Sequence, residues 1–159
     1  MSIALCMKIC FYCGSGTVSP VEQYIYDKFG ENLNRPNTEA VITEITHIIS
    51  KWKHVADNNG IPDNQYAKKM SGFDFIEIRV KRSKTLIRFP YFRDATNDRL
   101  VLLLGFEKKE GYKKKDKTDR HVNKKLEEAQ VYYGKYNKNK RLYKEMTDIF
   151  CRIYDQLNF

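Results

Sequence analysis

The sequence predicts one α+β domain of two layers, in the order β, α, α, β, β, β, α, α. An N-terminal strand and a helical hairpin are followed by an antiparallel β-meander and then by C-terminal helices. Three observations predict it. One strand-like run precedes two stretches with helical apolar spacing. Three short β-branched and aromatic runs then fall between residues 73 and 106. Two more helical patterns close the chain. The length of 159 residues fits a single domain, and 42% hydrophobic with 13% aromatic residues supports a packed core rather than disorder.

Residues 7–13, "MKICFYC", alternate as a short strand, and Gly14-Ser15-Gly16 break it. Ser19 is placed to cap a helix, Pro20 suits its first position and Glu22 completes a capping box. Val21, Tyr24, Ile25 and Phe29 then share a face. A second helix is expected from about Thr38, with Val41, Ile45, Ile48, Ile49, Trp52 and Val55 as its core stripe and Asn59-Gly60 as its end. His47 and His54 on that helix are read as structural.

"FDFIEIRV", "TLIRFPYF" and "RLVLLLGF" read as three strands joined by the turn-like "KRSK" and "RDATND". Alternation puts Ile76, Ile78 and Val80 on one side, and Phe75, Glu77 and Arg79 on the other. Arg88 falls opposite Ile87, Phe89 and Tyr91, and Pro90 marks an edge or a bulge because it cannot donate to a ladder. A third helix is expected over 118–136, striped by Val122, Leu126, Ala129 and Tyr133. A last one carries Leu142, Met146, Ile149, Ile153 and Leu157. Residues 1–136 thus form the main body, and 137–159 add a helix to the same domain.

Charge is concentrated. Residues 79–125 carry 16 basic and 6 acidic residues, whereas residues 1–78 carry 7 and 9. The excess suits a polyanionic partner, although a solvated face would also account for a lysine run. No apolar run approaches the roughly 20 residues of a membrane span, and the N-terminus does not read as a signal peptide, so a cytoplasmic protein is expected. Cys10 and Cys13 have a CxxC spacing, but no second pair supplies the ligands of a tetrahedral site. Free thiols are expected, with no metal and no cofactor.

Glu77-Ile78-Arg79, Arg88 followed by Phe89, Tyr91 and Phe92, and Gly105-Phe106-Glu107-Lys108-Lys109 occur in that order. Together with the opening "MKICFYCGSGTVSPVEQYI", they resemble the RelE/ParE superfamily of bacterial toxins, in its phage-derived, HigB-like branch. The resemblance covers about residues 7–136. It implies a RelE-like fold and the toxin of a type II toxin–antitoxin pair. Its partner would be an antitoxin, expected to be of helix-turn-helix type and encoded by an adjacent gene. Relatives of RelE and HigB act on the ribosome and cleave mRNA in the A site, which inhibits translation. Relatives of ParE poison DNA gyrase without enzymatic cleavage of RNA. A ribosome-dependent endoribonuclease (an mRNA interferase) is the first reading. A gyrase poison, or a simple basic interaction domain, is the second.

Cleavage through the 2′-hydroxyl needs a base, an acid and cations around the phosphorane-like transition state. Arg88 is the expected phosphate clamp and Arg79 its helper, because a guanidinium grips phosphate oxygens with two donors. A salt bridge from Arg88 to Glu77 across the strands is the alternative, and it does not exclude a role in substrate binding. Glu77 stands where RelE-like enzymes place a lysine. It is either the base or structural. His121 is the other expected base, since imidazole titrates near neutral pH. Lys109 or Lys108 would stabilise the transition state. Tyr112 would stack on a splayed base or carry a proton, with packing on the sheet as the plainer alternative, and Lys113, Lys114, Lys115 and Lys117 would hold ribosomal RNA by charge.

Overall fold

A computed structural model of the chain describes residues 7–16, 18–29, 39–63, 66–70, 72–82, 85–109 and 115–146. Side chains at 82, 109 and 115–119 lie outside that description. The elements are β1 (Lys8–Tyr12), α1 (Pro20–Phe29), α2 (Glu39–Asp57), β2 (Ala67–Lys69), β3 (Ile76–Arg82), β4 (Thr85–Asp94), β5 (Arg99–Leu102), β6 (Phe106–Lys109), α3 (Lys115–Lys138) and β7 (Tyr143–Glu145). The strands form one seven-stranded sheet in the order β2-β3-β4-β5-β1-β7, with β6 also beside β4. β1 runs parallel to β5, and the other pairs are antiparallel. The fold is therefore α+β with a mostly antiparallel sheet.

The expected two layers are three. Ile78, Val80, Ile87, Phe89, Leu100 and Leu102 meet α1 and α2 on one face. Phe75, Phe92, Val101, Leu103 and Phe106 meet Val122, Leu126, Ala129 and Tyr136 of α3 on the other. The cause is legible in "RLVLLLGF". Its unbroken apolar run is buried on both faces, so each face needs a helical cover.

The capping box forms at α1. Ser19 Oγ accepts from the Glu22 N–H at 3.0 Å, and Glu22 Oε1 accepts from the Ser19 N–H at 3.2 Å. In α2, Trp52 packs edge-on against Phe11 and Phe89, with ring centroids 5.6 and 5.0 Å away. Asn59 and Gly60 end that helix with φ of 57° and 71°. A Cβ at Gly60 would also lie 2.7 Å from Arg93 Cγ, so both conformation and space require glycine there.

Pro90 is no edge residue, because β4 is flanked by β3 and by β5 and β6. It marks a bulge instead. Tyr91 pairs with Leu102 but Arg88 pairs with Phe106, so the β5–β6 side holds one extra residue. The Leu103 N–H donates to the Pro90 carbonyl at 2.8 Å across the break. The bend turns Phe106 and the rest of β6 toward α3, which contacts it.

The expected final helix is corrected at its start. Tyr143–Glu145 is a strand that adds to β1, with Phe11 opposite Lys144. Two interactions favour the strand over the helical period. Lys144 Nζ pairs with the buried Glu22 carboxylate at 2.9 Å, and the Arg99 guanidinium lies 3.7 Å from the Tyr143 ring centroid. Residues 147–159, which carry the rest of that pattern, lie outside the described residues. Within α3 the fully buried aromatic is Tyr136, with Tyr133 only partly buried. The described helices include none long and apolar enough to cross a membrane.

Candidate functional site

Register places the two arginines side by side. Arg79 stands directly opposite Arg88, and Arg88 is opposite Phe106 in turn. Glu77 lies two residues earlier on β3, on the same face. Its Oε1 is 2.7 Å from Arg79 Nε and 2.7 Å from Arg88 Nε. The Arg79 contact is a directed hydrogen bond, whereas the Arg88 contact is an ion pair off the hydrogen-bond axis. Glu77 is 0% exposed and Arg88 7% at the side chain, whereas Arg79 is 35% exposed. Glu77 Oε2 has no partner among the described residues.

One carboxylate thus faces two guanidinium groups, which leaves a surplus positive charge. Arg88 is further held by the Phe106 ring, 5.5 Å away, and by Met70 Sδ, 4.0 Å from its Nη2. Lysines rim the cluster on the same face. Lys68 is opposite Glu77, and Lys81 and Lys108 flank Leu86 from either side. Lys68 and Lys81 are exposed and Lys108 is half-buried.

His121 is exposed on α3, with its ring 6.3 Å from Phe106 and nearly perpendicular to it. Phe106 therefore touches both Arg88 and His121. Lys109 ends β6 opposite Thr85, with its side chain outside the description. Tyr112, Lys113 and Lys114 fall outside the described residues. Lys115 and Lys117 are placed by backbone alone, in the first turn of α3.

A groove of about 980 Å³ opens beside this face, between α1, β6 and α3. His121 and Lys108 line it, and so do three residues that sequence reasoning missed: Tyr24, Lys28 and Glu107. Glu107 accepts a hydrogen bond from Tyr24 Oη at 2.7 Å and pairs with Lys28. The available signal was alternation along β6, which turns Glu107 away from Phe106 and Lys108, together with the i, i+4 spacing of Tyr24 and Lys28. The CxxC pair lies elsewhere. Cys10 is buried among the residues under α3, and burial pushes its thiol up to about 11. The Cys13 thiol is also raised by burial, and its Sγ donates to the Gly16 carbonyl at 3.4 Å.

Chemically, the cluster can hold an anion through the exposed edge of Arg79 while Arg88 and Glu77 fix its position. Compared with protein-family models, with curated proteins and with solved structures, the chain finds no match.

Proposed function

We propose that the chain is the toxin of a toxin–antitoxin pair, of RelE/HigB type, and that it cleaves mRNA on the ribosome in the cytoplasm. The observation that carries this reading is the cross-strand Arg79–Arg88 pair sharing one buried carboxylate, with Lys81 and Lys108 on the same sheet face. A phosphodiester supplies the anion that this surplus charge lacks. The exposed guanidinium edge of Arg79 grips the scissile phosphate, and Arg88 supports it from behind. Lys108, with Lys109 beyond it, stabilises the charge that develops in the transition state. The spare Oε2 of Glu77 accepts the 2′-hydroxyl proton once substrate displaces Arg79, or His121 accepts it across Phe106. The 2′-oxygen bonds to phosphorus, the bond to the 5′-oxygen breaks, and that oxygen leaves with a proton from water. The chemistry uses no cofactor. The antitoxin is a small helix-turn-helix protein from an adjacent gene, and it neutralises the toxin by covering the basic face.

One observation favours a second reading. Arg88 is only 7% exposed at the side chain and is ion-paired with Glu77, which suits a scaffold for binding better than a clamp that works in every turnover. A non-enzymatic gyrase poison, or a basic interaction domain, would need no more. Expression of the chain and of Arg79→Gln in a bacterial host separates the two. The endoribonuclease gives new mRNA 5′ ends inside reading frames, and Arg79→Gln lowers them about 10²-fold or more. Double-strand DNA breaks with intact mRNA would establish the gyrase reading instead.

A further inference from the structure

Beside the arginine cluster, Lys69, Met70, Gly72, Phe73 and Asp74 line an open pocket of about 580 Å³. It shares a wall with the proposed phosphate site, since Met70 Sδ also touches Arg88. Phe73 is half-buried, and its ring lies 5.2 Å from the buried Phe75 ring at a tilt of 30°. That contact fixes the plane of Phe73 and leaves part of it open. An aromatic face held in one plane, with a polarisable thioether lining the same pocket, suits a flat, unpaired base.

Of the two charged residues lining this pocket, Lys69 and Asp74, the carboxylate is held in place. The Asp74 N–H donates to Gln130 Oε1 at 3.4 Å, and Gln130 Nε2 donates to Asp74 Oδ2 at 3.0 Å. This two-way tie to α3 orients an exposed carboxylate without neutralising it. A carboxylate only accepts hydrogen bonds, so it favours a base edge with two adjacent donors. Guanine offers that edge with N1–H and its N2 amino group. Adenine and cytosine set an acceptor beside their amino group, and uracil sets its single N–H between two carbonyls.

We propose that Met70, Phe73 and Asp74 form a nucleobase subsite that selects guanine next to the phosphate held by Arg79 and Arg88. The proposal rests on the RNA-cleaving reading above and gives it a sequence preference. Phe73 supplies the stacking face, and Asp74 supplies the discrimination.

The test is a titration of ¹⁵N-labelled protein with four single-stranded RNA tetranucleotides, UUGU, UUAU, UUCU and UUUU, followed through backbone amide shifts. The guanine oligomer should shift Met70, Gly72, Phe73 and Asp74 and bind at least about 5-fold more tightly than the others. Phe73→Leu should weaken all four by about 5-fold or more. Asp74→Asn, at an exposed position, should abolish the guanine preference, so that all four oligomers bind within about 2-fold of one another. Shifts confined to Arg79, Arg88 and Lys108, with no dependence on the base, would overturn the subsite and leave the RNA reading standing. An absence of shifts anywhere would overturn the subsite, and the ribosome-dependent cleavage assay would then decide the RNA reading by itself.

Discussion

Replacing Glu77 by alanine removes the one carboxylate that Arg79 and Arg88 share among the described residues, and the cost follows from their placement. The two arginines are directly opposite each other on neighbouring strands. Both Nε atoms lie 2.7 Å from one Glu77 oxygen, so without Glu77 two like charges on the order of 5 Å apart would repel by about 3 kcal/mol at an effective dielectric of about 20. Arg88, with a side chain 7% exposed, could not reach water to escape. Removing one member of a buried pair generally costs about 3–5 kcal/mol. For a domain of this size each kcal/mol lowers Tm by about 2–4 °C, so Glu77→Ala should lose about 6–20 °C. Urea unfolding followed by the fluorescence of Trp52, which is buried and the only tryptophan, measures the loss directly. The control is the double variant Glu77→Leu, Arg88→Met. It should be more stable than the sum of its single changes by about 1–3 kcal/mol, because it leaves no uncompensated buried charge. Arg79→Gln should cost about 1 kcal/mol or less, since that side chain is 35% exposed. A loss below about 1 kcal/mol for Glu77→Ala, or an additive cycle, would refute the claim that this carboxylate holds the cluster together.

Three further outcomes follow from the packing. Tyr136 Oη donates to Asp94 Oδ2 at 2.5 Å, and Tyr136→Phe should cost about 1.5–3 kcal/mol at pH 7. Burial alone would raise the Asp94 carboxyl, but the hydrogen bonds from Tyr136 and Asn97 outweigh it and hold it below its usual 3.8. A depressed carboxyl stabilises the fold above its usual value and loses that contribution as pH falls below it. The gap between wild type and Tyr136→Phe should therefore close below about pH 4, as denaturation at stepped pH would show. Gly105→Ala would place a Cβ 2.7 Å from the Phe89 ring and 3.0 Å from Tyr24, so it should cost about 1–3 kcal/mol by overpacking, with Tyr24 displaced from Glu107 in a crystal structure. Cys10, with its thiol pushed up to about 11 by burial, should resist iodoacetamide at pH 8 until the protein unfolds, as mass spectrometry of the labelled chain would reveal.

The sequence read well where one local rule decided the outcome. Ser19, Pro20 and Glu22 announced α1 through a capping box, and the alternation of "FDFIEIRV" put Glu77 and Arg79 on one face and Ile78 and Val80 on the other. It read poorly where pairing decided. β7 has helical apolar spacing, but its backbone groups complete the β1 edge, and its Lys144 meets Glu22 across 122 residues of sequence. The third layer was hidden for a related reason: the stripe on α3 says that a face is buried, not which side of the sheet receives it. In the candidate site, strand spacing placed Arg79 beside Arg88. Only the tertiary structure showed Phe106 between Arg88 and His121, and the Tyr24–Lys28–Glu107 group, because their members come from different elements.

The functional proposal meets its most direct test in a reconstituted translation reaction, with mRNA 5′ ends mapped after addition of the purified chain. Cuts inside A-site codons that appear only when ribosomes are present, and that fall about 10²-fold with Arg79→Gln, are the result expected. Intact mRNA from a protein that kills the cells expressing it would contradict the proposal and remove Arg79 and Arg88 from any catalytic role.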